Sequence, residues 1–175
     1  MLPEPYAWLS AEPGPMMLVE ALRHHGTAER AGPASNPAIL AWAAETGLAN
    51  VYRADATPWC GLFMALLAHR TGKPVPNEPL WALSWAAWEE GAAAPMLGGV
   101  LVFRRPGGGH VGLCVGEDAA AYHVLGGNQG DRVSIARLAK ARLVAARHPR
   151  WRGTMPLNRR RVRLSAAGAL SRNER

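Results

Sequence analysis

The spacing of hydrophobic residues along the chain changes near residue 95. Before that point, apolar side chains recur every three or four positions in four stretches, which is the period of an amphipathic helix. The predicted helices cover 15–25, 35–46, 57–70 and 78–91. Beyond Pro95 the period falls to two, which predicts strands over 98–105, 110–116, 120–125 and, more briefly, 132–135 and 141–146. Helices followed by a run of strands predict an α+β fold with an antiparallel sheet.

The fourth predicted helix carries three tryptophans at helical spacing, Trp81, Trp85 and Trp88. Such a stripe is typical of a helix face that packs against the core, and we interpret it in that way. The pattern leaves open whether Trp81 or Trp88, at the ends of the stripe, lines a cleft.

Composition divides the chain into a central domain and two flanking segments. Residues 15–150 carry the periodic patterns, and a chain of 175 residues is long enough for one domain with a hydrophobic core. Residues 1–14 are rich in proline and lack periodicity, which predicts a loosely ordered arm. Residues 151–175 also lack periodicity and predict a basic, disordered tail.

The net charge of +7 is concentrated at the C-terminal end. Residues 147–175 hold nine arginines and one glutamate, a net charge of +8, so residues 1–146 carry a net charge of −1. A basic tail of this kind binds polyanions by charge neutralisation. An anionic cell-wall polymer, a membrane surface and nucleic acid are candidates, as is a solvated tail without a partner. No specific nucleic-acid target is expected.

The sequence offers no sign of a membrane span, a secretory signal or a metal site. The longest uncharged apolar run, 59–68, is about ten residues, half of what a transmembrane helix needs. The N-terminus lacks a basic region followed by an apolar stretch. This predicts synthesis in the cytoplasm, with release or delivery needed for any action outside it. We expect independent thiols at Cys60 and Cys114, and neither a metal nor a cofactor, because the Cys/His spacings are unlike those of zinc ligands.

Cys60 is the strongest candidate nucleophile. Thr57 is a suitable N-cap and Pro58 a suitable first helical residue, so Cys60 is predicted to lie in the first turn of a helix. The free N–H groups and the helix dipole there favour the thiolate over the thiol. The backbone N–H of Cys60 would also serve as an oxyanion donor. The alternative is that Cys60 is a small buried residue of the core.

A nucleophilic thiolate needs a base, and His110 is the histidine best placed to be one. It opens a predicted strand directly after three glycines at 107–109, and glycine lets another segment approach the backbone closely. By contrast, His69 lies nine residues beyond Cys60, about 13 Å along a helix axis, which is too far for proton transfer. The residues alone therefore pair Cys60 with His110.

Several ordered motifs surround this pair: Ser-Asn-Pro at 35–37, Thr-Pro-Trp-Cys at 57–60, Gly-Gly-Gly-His-Val-Gly at 107–112 and Leu-Gly-Gly-Asn-Gln at 125–129. Together they resemble a bacterial and phage-encoded subfamily of the papain-like NlpC/P60 and CHAP peptidases and amidases. The resemblance covers roughly residues 15–150. It implies a papain-like fold in which the N-terminal helices pack on an antiparallel half-barrel sheet.

The resemblance also implies a function and the roles of the site residues. It implies a thiol peptidase or amidase that hydrolyses an amide bond in peptidoglycan, as in cell-wall degradation by an endolysin. Cys60 would be the nucleophile and His110 the base. Asn128 would orient the imidazole, with His123 as the alternative orienting residue.

Three further residues are assigned to substrate binding beside the pair. Trp59 would wall the cleft, Tyr52 would offer a hydrogen-bond donor, and Gly109 lies in the glycine turn before the histidine. A buried structural role is the alternative for Trp59.

Two other functions stay open at this point. The first is a Cys/His acyltransferase or hydrolase that acts on a different amide or ester. The second is a non-catalytic module whose Arg-rich tail binds nucleic acid or a structural partner. Removing residues 152–175 should abolish the function of such a module and leave bond cleavage intact in an enzyme.

Overall fold

The protein is described by a computed structural model that covers residues 1–151, 153–166 and 168–174. Helices come first and strands follow, and six strands of the described chain form a single antiparallel sheet. This confirms the predicted α+β class with an antiparallel sheet. Among the described residues, no helix has the length and apolar character that crossing a membrane requires.

Three α-helices precede the sheet, namely α1 (Met16–Arg23), α2 (Pro37–Glu45) and α3 (Cys60–Arg70). Asn36 caps α2, since its side chain accepts a hydrogen bond from the N–H of Ala38 at 2.8 Å. Residues 60–68 of α3 are all buried, as expected for a helix that is apolar on every side and surrounded by protein. Short 3-10 helices cover Glu4–Ala11, Ala82–Ala87 and Lys140–Arg142.

The strands lie in the order β1-β6-β2-β3-β4-β5 across the sheet. β2 and β3 form a hairpin in which Phe103 pairs with His110, whereas β3 pairs with β4 only from Leu113, opposite Leu125. The first half of β3 therefore has a neighbour on one side and a free edge on the other. The strand bounds are β1 (Glu90–Gly91), β2 (Val100–Arg105), β3 (Gly108–Glu117), β4 (Ala121–Gly126), β5 (Ser134–Ala139) and β6 (Leu143–His148).

The sheet separates two hydrophobic clusters. On one face, Val102 and Val111 belong to the large core that contains α3 and the N-terminal helices. On the other face, Phe103, Cys114 and Val124 form a smaller cluster. Neighbouring residues of a strand point to opposite faces, so each strand contributes to both clusters.

The fourth predicted helix is wrong, because only the short 3-10 helix Ala82–Ala87 forms there. The indole N–H of Trp85 donates to the carbonyl of Pro79 at 3.0 Å, and that of Trp88 donates to the carbonyl of Pro74 at 2.8 Å. These contacts fold the segment back on itself instead of extending it as a helix. Trp81 is exposed, so the three tryptophans do not form one buried stripe.

Both segments predicted to lack fixed structure pack against the domain. The N-terminal arm forms the 3-10 helix Glu4–Ala11, which buries Tyr6 and Leu9. In the C-terminal tail, the N–H of Leu164 donates to the carbonyl of Glu117 at the end of β3, at 2.9 Å. The tail is ordered there because the domain supplies a matching charge: Arg161 lies 2.7 Å from the buried carboxylate of Glu117. The parts of the tail prediction that fall on residues 152, 167 and 175 lie outside the described residues.

Candidate active site

Cys60 is the first residue of α3 and lines a cleft. Trp59 occupies the N-cap position without a side-chain cap, so the predicted cap at Thr57 is two residues too early. Cys60 is only 2% exposed. The next residue has to be small, because a Cβ at Gly61 would collide with the backbone carbonyls of residues 79–80. The start of α3 is therefore pressed against that segment.

Burial controls the acidity of the Cys60 thiol. It raises the pKa of the thiol above its ordinary value, because a thiolate loses solvation in the interior. The backbone N–H groups of Val111, Gly61 and Cys60 and the cation of Arg105 act in the opposite direction without offsetting burial. The expected preference for the thiolate at the helix start is thus outweighed, and Cys60 is a protonated thiol at neutral pH.

His110 is fully buried and is held through one ring nitrogen. Its Nε2 lies 3.1 Å from Oε1 of Gln129, whereas Nδ1 has no hydrogen-bond partner in the part of the chain that the structure describes. The side-chain amide of Gln129 donates to the carbonyls of Val124 at 3.1 Å and Ser134 at 2.5 Å, so its oxygen has to face the histidine. Nε2 therefore carries the proton, and Nδ1 is the free basic nitrogen.

The electrostatic surroundings keep His110 neutral. Burial lowers the pKa of His110 to about 4, since an imidazolium would lose its solvation. The carboxylate of Glu174 and the hydrogen bond to Gln129 act in the opposite direction. Glu174 belongs to the C-terminal tail and is bound by Arg142 at 2.7 Å. Neither Glu174 nor Gln129 was predicted as a site residue, because only the fold brings them to the histidine.

Cys60 lies against β3, the strand that carries His110. The Cys60 sulfur interacts with the backbone of Val111, the residue directly after His110. His110 pairs with Phe103 and shares the face of the sheet opposite to α3. The thiol therefore lies against the strand that carries His110, next to the backbone of the following residue, while the imidazole faces the other side of the sheet. No hydrogen bond joins the sulfur to the unpartnered Nδ1.

Asn128 makes no hydrogen bond to His110, which contradicts its predicted role as the orienting residue. Its backbone has a φ of 59°, and its side chain turns toward the start of α3. There Oδ1 accepts from the N–H of Trp59 at 3.3 Å, and Nδ2 donates to Glu29 at 2.7 Å. Asn128 thus supports the loop before Cys60, and the neighbouring glutamine holds the imidazole instead.

His123, the alternative orienting residue, lies in a separate buried network. Its Nδ1 is 2.7 Å from the hydroxyl of Tyr6, and its Nε2 is 2.8 Å from a carboxylate oxygen of Asp118. The same carboxylate binds Arg137 at 2.7 Å. This network ties the N-terminal 3-10 helix to β4, so His123 has a structural role and is not a partner of His110.

Of the three residues assigned to substrate binding, Gly109 lines the cleft beside the thiol. Trp59 is fully buried, and its indole donates to the carboxylate of Glu29 at 2.8 Å, so it braces the loop and does not wall the cleft. Tyr52 is also buried, and its hydroxyl donates to the carbonyl of Thr57 at 3.2 Å. Burial raises the pKa of Tyr52, so the phenol stays neutral and is committed to the loop.

The cleft beside Cys60 has a volume of about 550 Å³. Its walls are mainly apolar and carry two opposite charges, Glu78 and Arg105. Trp81, which is 53% exposed, also lines it, so of the two tryptophans left open by the sequence it is Trp81 that borders the cleft. A cleft of this size and mixed character suits part of a peptide or a small amide.

Two further observations concern other groups that could take part in catalysis, namely a metal site and the second thiol. Among the described residues, no group of three His, Cys, Asp or Glu side chains is arranged to hold a metal ion. The second thiol, Cys114, is buried in the smaller cluster, and burial raises its pKa to about 12. It lies four residues beyond His110 on the same strand, about 13 Å away, so it is a core thiol.

Comparisons with known proteins give no match to a protein-family model, to a curated protein or to a solved structure. The family implied by the sequence motifs therefore stays a prediction. The function of the protein is inferred from those motifs and from the geometry of Cys60, His110 and Gln129.

Proposed function

We propose that the protein is a cysteine hydrolase that cleaves an amide bond in peptidoglycan, as an endopeptidase or amidase. The observation that carries the proposal is the position of Cys60 on β3, where its sulfur interacts with the backbone of Val111, the residue directly after His110. Cys60 begins a buried helix that packs on β3, and His110 on that strand has an unpartnered Nδ1 that Gln129 keeps free of its proton. A nucleophile, a base and an orienting group are the parts that acyl transfer requires.

The reaction starts from a neutral pair. The Cys60 sulfur attacks the carbonyl carbon of the amide, and the thiol proton passes to Nδ1 of His110. The backbone N–H groups at the start of α3 stabilise the oxyanion that forms. The imidazolium then gives the proton to the departing amine, leaving a thioester on Cys60. Water hydrolyses the thioester with His110 again as the base, which regenerates the thiol and releases the carboxylate product.

The sulfur and Nδ1 have to move into hydrogen-bond contact when substrate binds. Catalytic hydrogen bonds are often long or poorly aligned in the free enzyme and tighten only in the substrate complex. Because Nδ1 has no other partner, rotation of either side chain toward the other breaks no existing bond at that nitrogen. Substrate that fills the cleft would also displace water and strengthen the interaction.

The assignment to a papain-like fold and the choice of peptidoglycan as the substrate are supported by the sequence motifs together with the packing around α3. A buried Cys-bearing helix packed against β3 of an antiparallel sheet supports assignment to the papain-like half-barrel fold. The opposite charges of Glu78 and Arg105 in the cleft suit a short peptide that carries both amino and carboxylate groups, as peptidoglycan stems do. Such an enzyme would act at the wall after release or delivery.

The Arg-rich tail is also a candidate to hold the enzyme on an anionic wall polymer or membrane. Several of its arginines are already paired with carboxylates of the domain: Arg160 lies 2.5 Å from Glu12, and Arg161 lies 2.7 Å from Glu117. These pairs reduce the charge available to a polyanion. We therefore assign the tail primarily to the stability of the domain and not to a binding function of its own.

The decisive experiment is digestion of purified peptidoglycan by the wild type, Cys60→Ala and Cys114→Ala, with mass analysis of the products. We expect the wild type and Cys114→Ala to release muropeptides with new termini, which identify the bond, and Cys60→Ala to release none. Cys114 is the matched control because it is the other buried thiol. Iodoacetamide should block the activity and EDTA should not. Equal release by Cys60→Ala would refute the proposal.

A further inference from the structure

A second cavity lies at the opposite end of α3 from Cys60. It has a volume of about 260 Å³ and is bordered by Pro15 and Met16 at the start of α1, Lys73 after α3, and Trp151 and Arg159 from the C-terminal segment. α3 has eleven residues, which corresponds to about 16 Å along its axis. The cavity is therefore separate from the cleft that contains the thiol.

The charged residues of the described cavity lining are cations, although the carboxylate of Glu12 lies behind the lining residue Asn158, from which it accepts a hydrogen bond at 3.0 Å. Lys73 and Arg159 are its cations, and none of its described lining residues is an aspartate or a glutamate. The Nζ atom of Lys73 lies 5.7 Å above the ring of Trp151 and makes a cation–π contact. Burial lowers the pKa of Arg159, whereas its neighbour Arg160 is paired with Glu12. The cavity thus holds positive charge that no described carboxylate of its lining neutralises.

Two donors at the cavity wall lack acceptors. The indole N–H of Trp151 and the Nε–H of Arg159 are both buried, and neither has a hydrogen-bond partner among the described residues. Buried donors in native proteins almost always have a partner, and leaving one unpaired is unfavourable. A bound group with two acceptor oxygens would satisfy both donors after a small movement of the wall and would also neutralise the cations.

Most of the rest of the lining is apolar, the polar exceptions being Thr71, His148 and Asn158, and the apolar part selects the body of the ligand. Pro15, Met16 and Met17 border the cavity on the α1 side, and Pro149 and Pro156 border it on the C-terminal side. We propose that this cavity binds a small carboxylate with an apolar body. The carboxylate lies against Arg159, Trp151 and Lys73, and the apolar body lies against the prolines and methionines. The small volume excludes bulky ligands.

The test is calorimetric titration of the full-length protein with hexanoate, 1-hexanol and inorganic phosphate. We expect saturable binding of hexanoate only. Arg159→Gln should weaken that binding about tenfold or more, because a charge-assisted hydrogen bond is lost. Trp151→Phe should weaken it severalfold while keeping the aromatic ring. Arg163→Gln is the matched control, since Arg163 is a cation of the same segment that faces Glu117 and should leave binding unchanged.

Each other outcome would overturn the proposal. Equal affinity for 1-hexanol would remove the role of the carboxylate, and equal affinity for phosphate would remove the role of the apolar body. Unchanged binding in both Arg159→Gln and Trp151→Phe, with wild-type circular dichroism, would place hexanoate elsewhere. If Arg159→Gln does not fold, Trp151→Phe and Lys73→Gln decide the matter. Failure of peptidoglycan cleavage would not bear on this site.

Discussion

Gln129 determines which ring nitrogen of His110 carries the proton. Its oxygen lies 3.1 Å from Nε2, while its nitrogen is fixed by two backbone carbonyls. This arrangement keeps Nδ1 deprotonated and without a partner. A base that has to accept a proton from Cys60 needs both properties, so Gln129 prepares His110 without touching the substrate.

Replacing Gln129 with alanine should lower kcat about tenfold or more, because the imidazole loses the bond that fixes its tautomer and orientation. The measurement is steady-state cleavage together with the ¹⁵N shifts of the His110 ring, which report the tautomer directly. Ser134→Ala is the matched control, since it removes the hydrogen bond from Ser134 Oγ to the Gln129 carbonyl at 2.9 Å without touching the ring. An unchanged tautomer in Gln129→Ala would contradict the assigned role.

Acid should destabilise the wild type through His110. Its pKa is about 4 in the folded protein and near 6.5 when unfolded, so the unfolded state binds more protons between these values. Stability is therefore lost as the pH falls from about 6.5 to about 4, by an amount on the order of 1 to 3 kcal/mol. Urea unfolding of the wild type and His110→Gln at pH 7.5 and 4.5 measures the difference. Parallel losses in the two proteins would show that His110 does not titrate in this way.

Local patterns predicted the elements that hold the site, but they did not predict the contacts within it. The apolar period located α3 and β3, and the helix predicted over 35–46 corresponds to α2, which Asn36 caps. Gln129 and Asn128 are adjacent polar amides, and only the backbone conformation, with φ of 59° at Asn128, decides which one reaches the histidine. That conformation depends on the partner Glu29, which is 99 residues away in the chain.

The C-terminal tail is a second region whose contacts the sequence patterns did not predict. Its arginine content indicates a solvated segment, yet Arg161 meets the carboxylate of Glu117 at the end of β3. Composition gives the average charge of a segment and cannot say where the matching charge lies. The burial that raises the pKa of Cys60 is likewise a property of packing, which outweighs the local helix dipole.

Alkylation of Cys60 by iodoacetamide should become faster as the pH rises through and beyond the range in which an ordinary thiol loses its proton. Burial raises the pKa of this thiol, so little thiolate is present at neutral pH. Arg105→Met should slow the reaction further, because the Arg105 cation acts to lower that pKa. Peptide mapping by mass spectrometry distinguishes Cys60 from Cys114. A rate that reaches a plateau below pH 7 would instead reveal a thiolate–imidazolium pair.

Gly61→Ala should destabilise the protein by about 1 to 3 kcal/mol and widen the cleft, since the added methyl group would strike the backbone of residues 79–80. Gly108→Ala is the matched control on the other wall of the cleft, where an added Cβ meets no atom within 4 Å. Thermal unfolding and KM for the wall substrate are the measurements. Equal stability of the two variants would mean that the start of α3 is not held by close packing.

Glu174→Gln should lower the pKa of His110 and reduce stability by about 1 to 3 kcal/mol. Glu174 is 2% exposed and paired with Arg142 at 2.7 Å, so the variant leaves a guanidinium without its carboxylate. The negative charge of Glu174 in the wild type also favours the imidazolium, which is the species that forms when His110 accepts the thiol proton. NMR titration of His110 and thermal unfolding are the measurements, with the exposed Arg172→Gln as control. If His110 titrates identically in all three proteins, the C-terminal tail contributes packing alone, and its removal should leave the intrinsic acidity of the site unchanged.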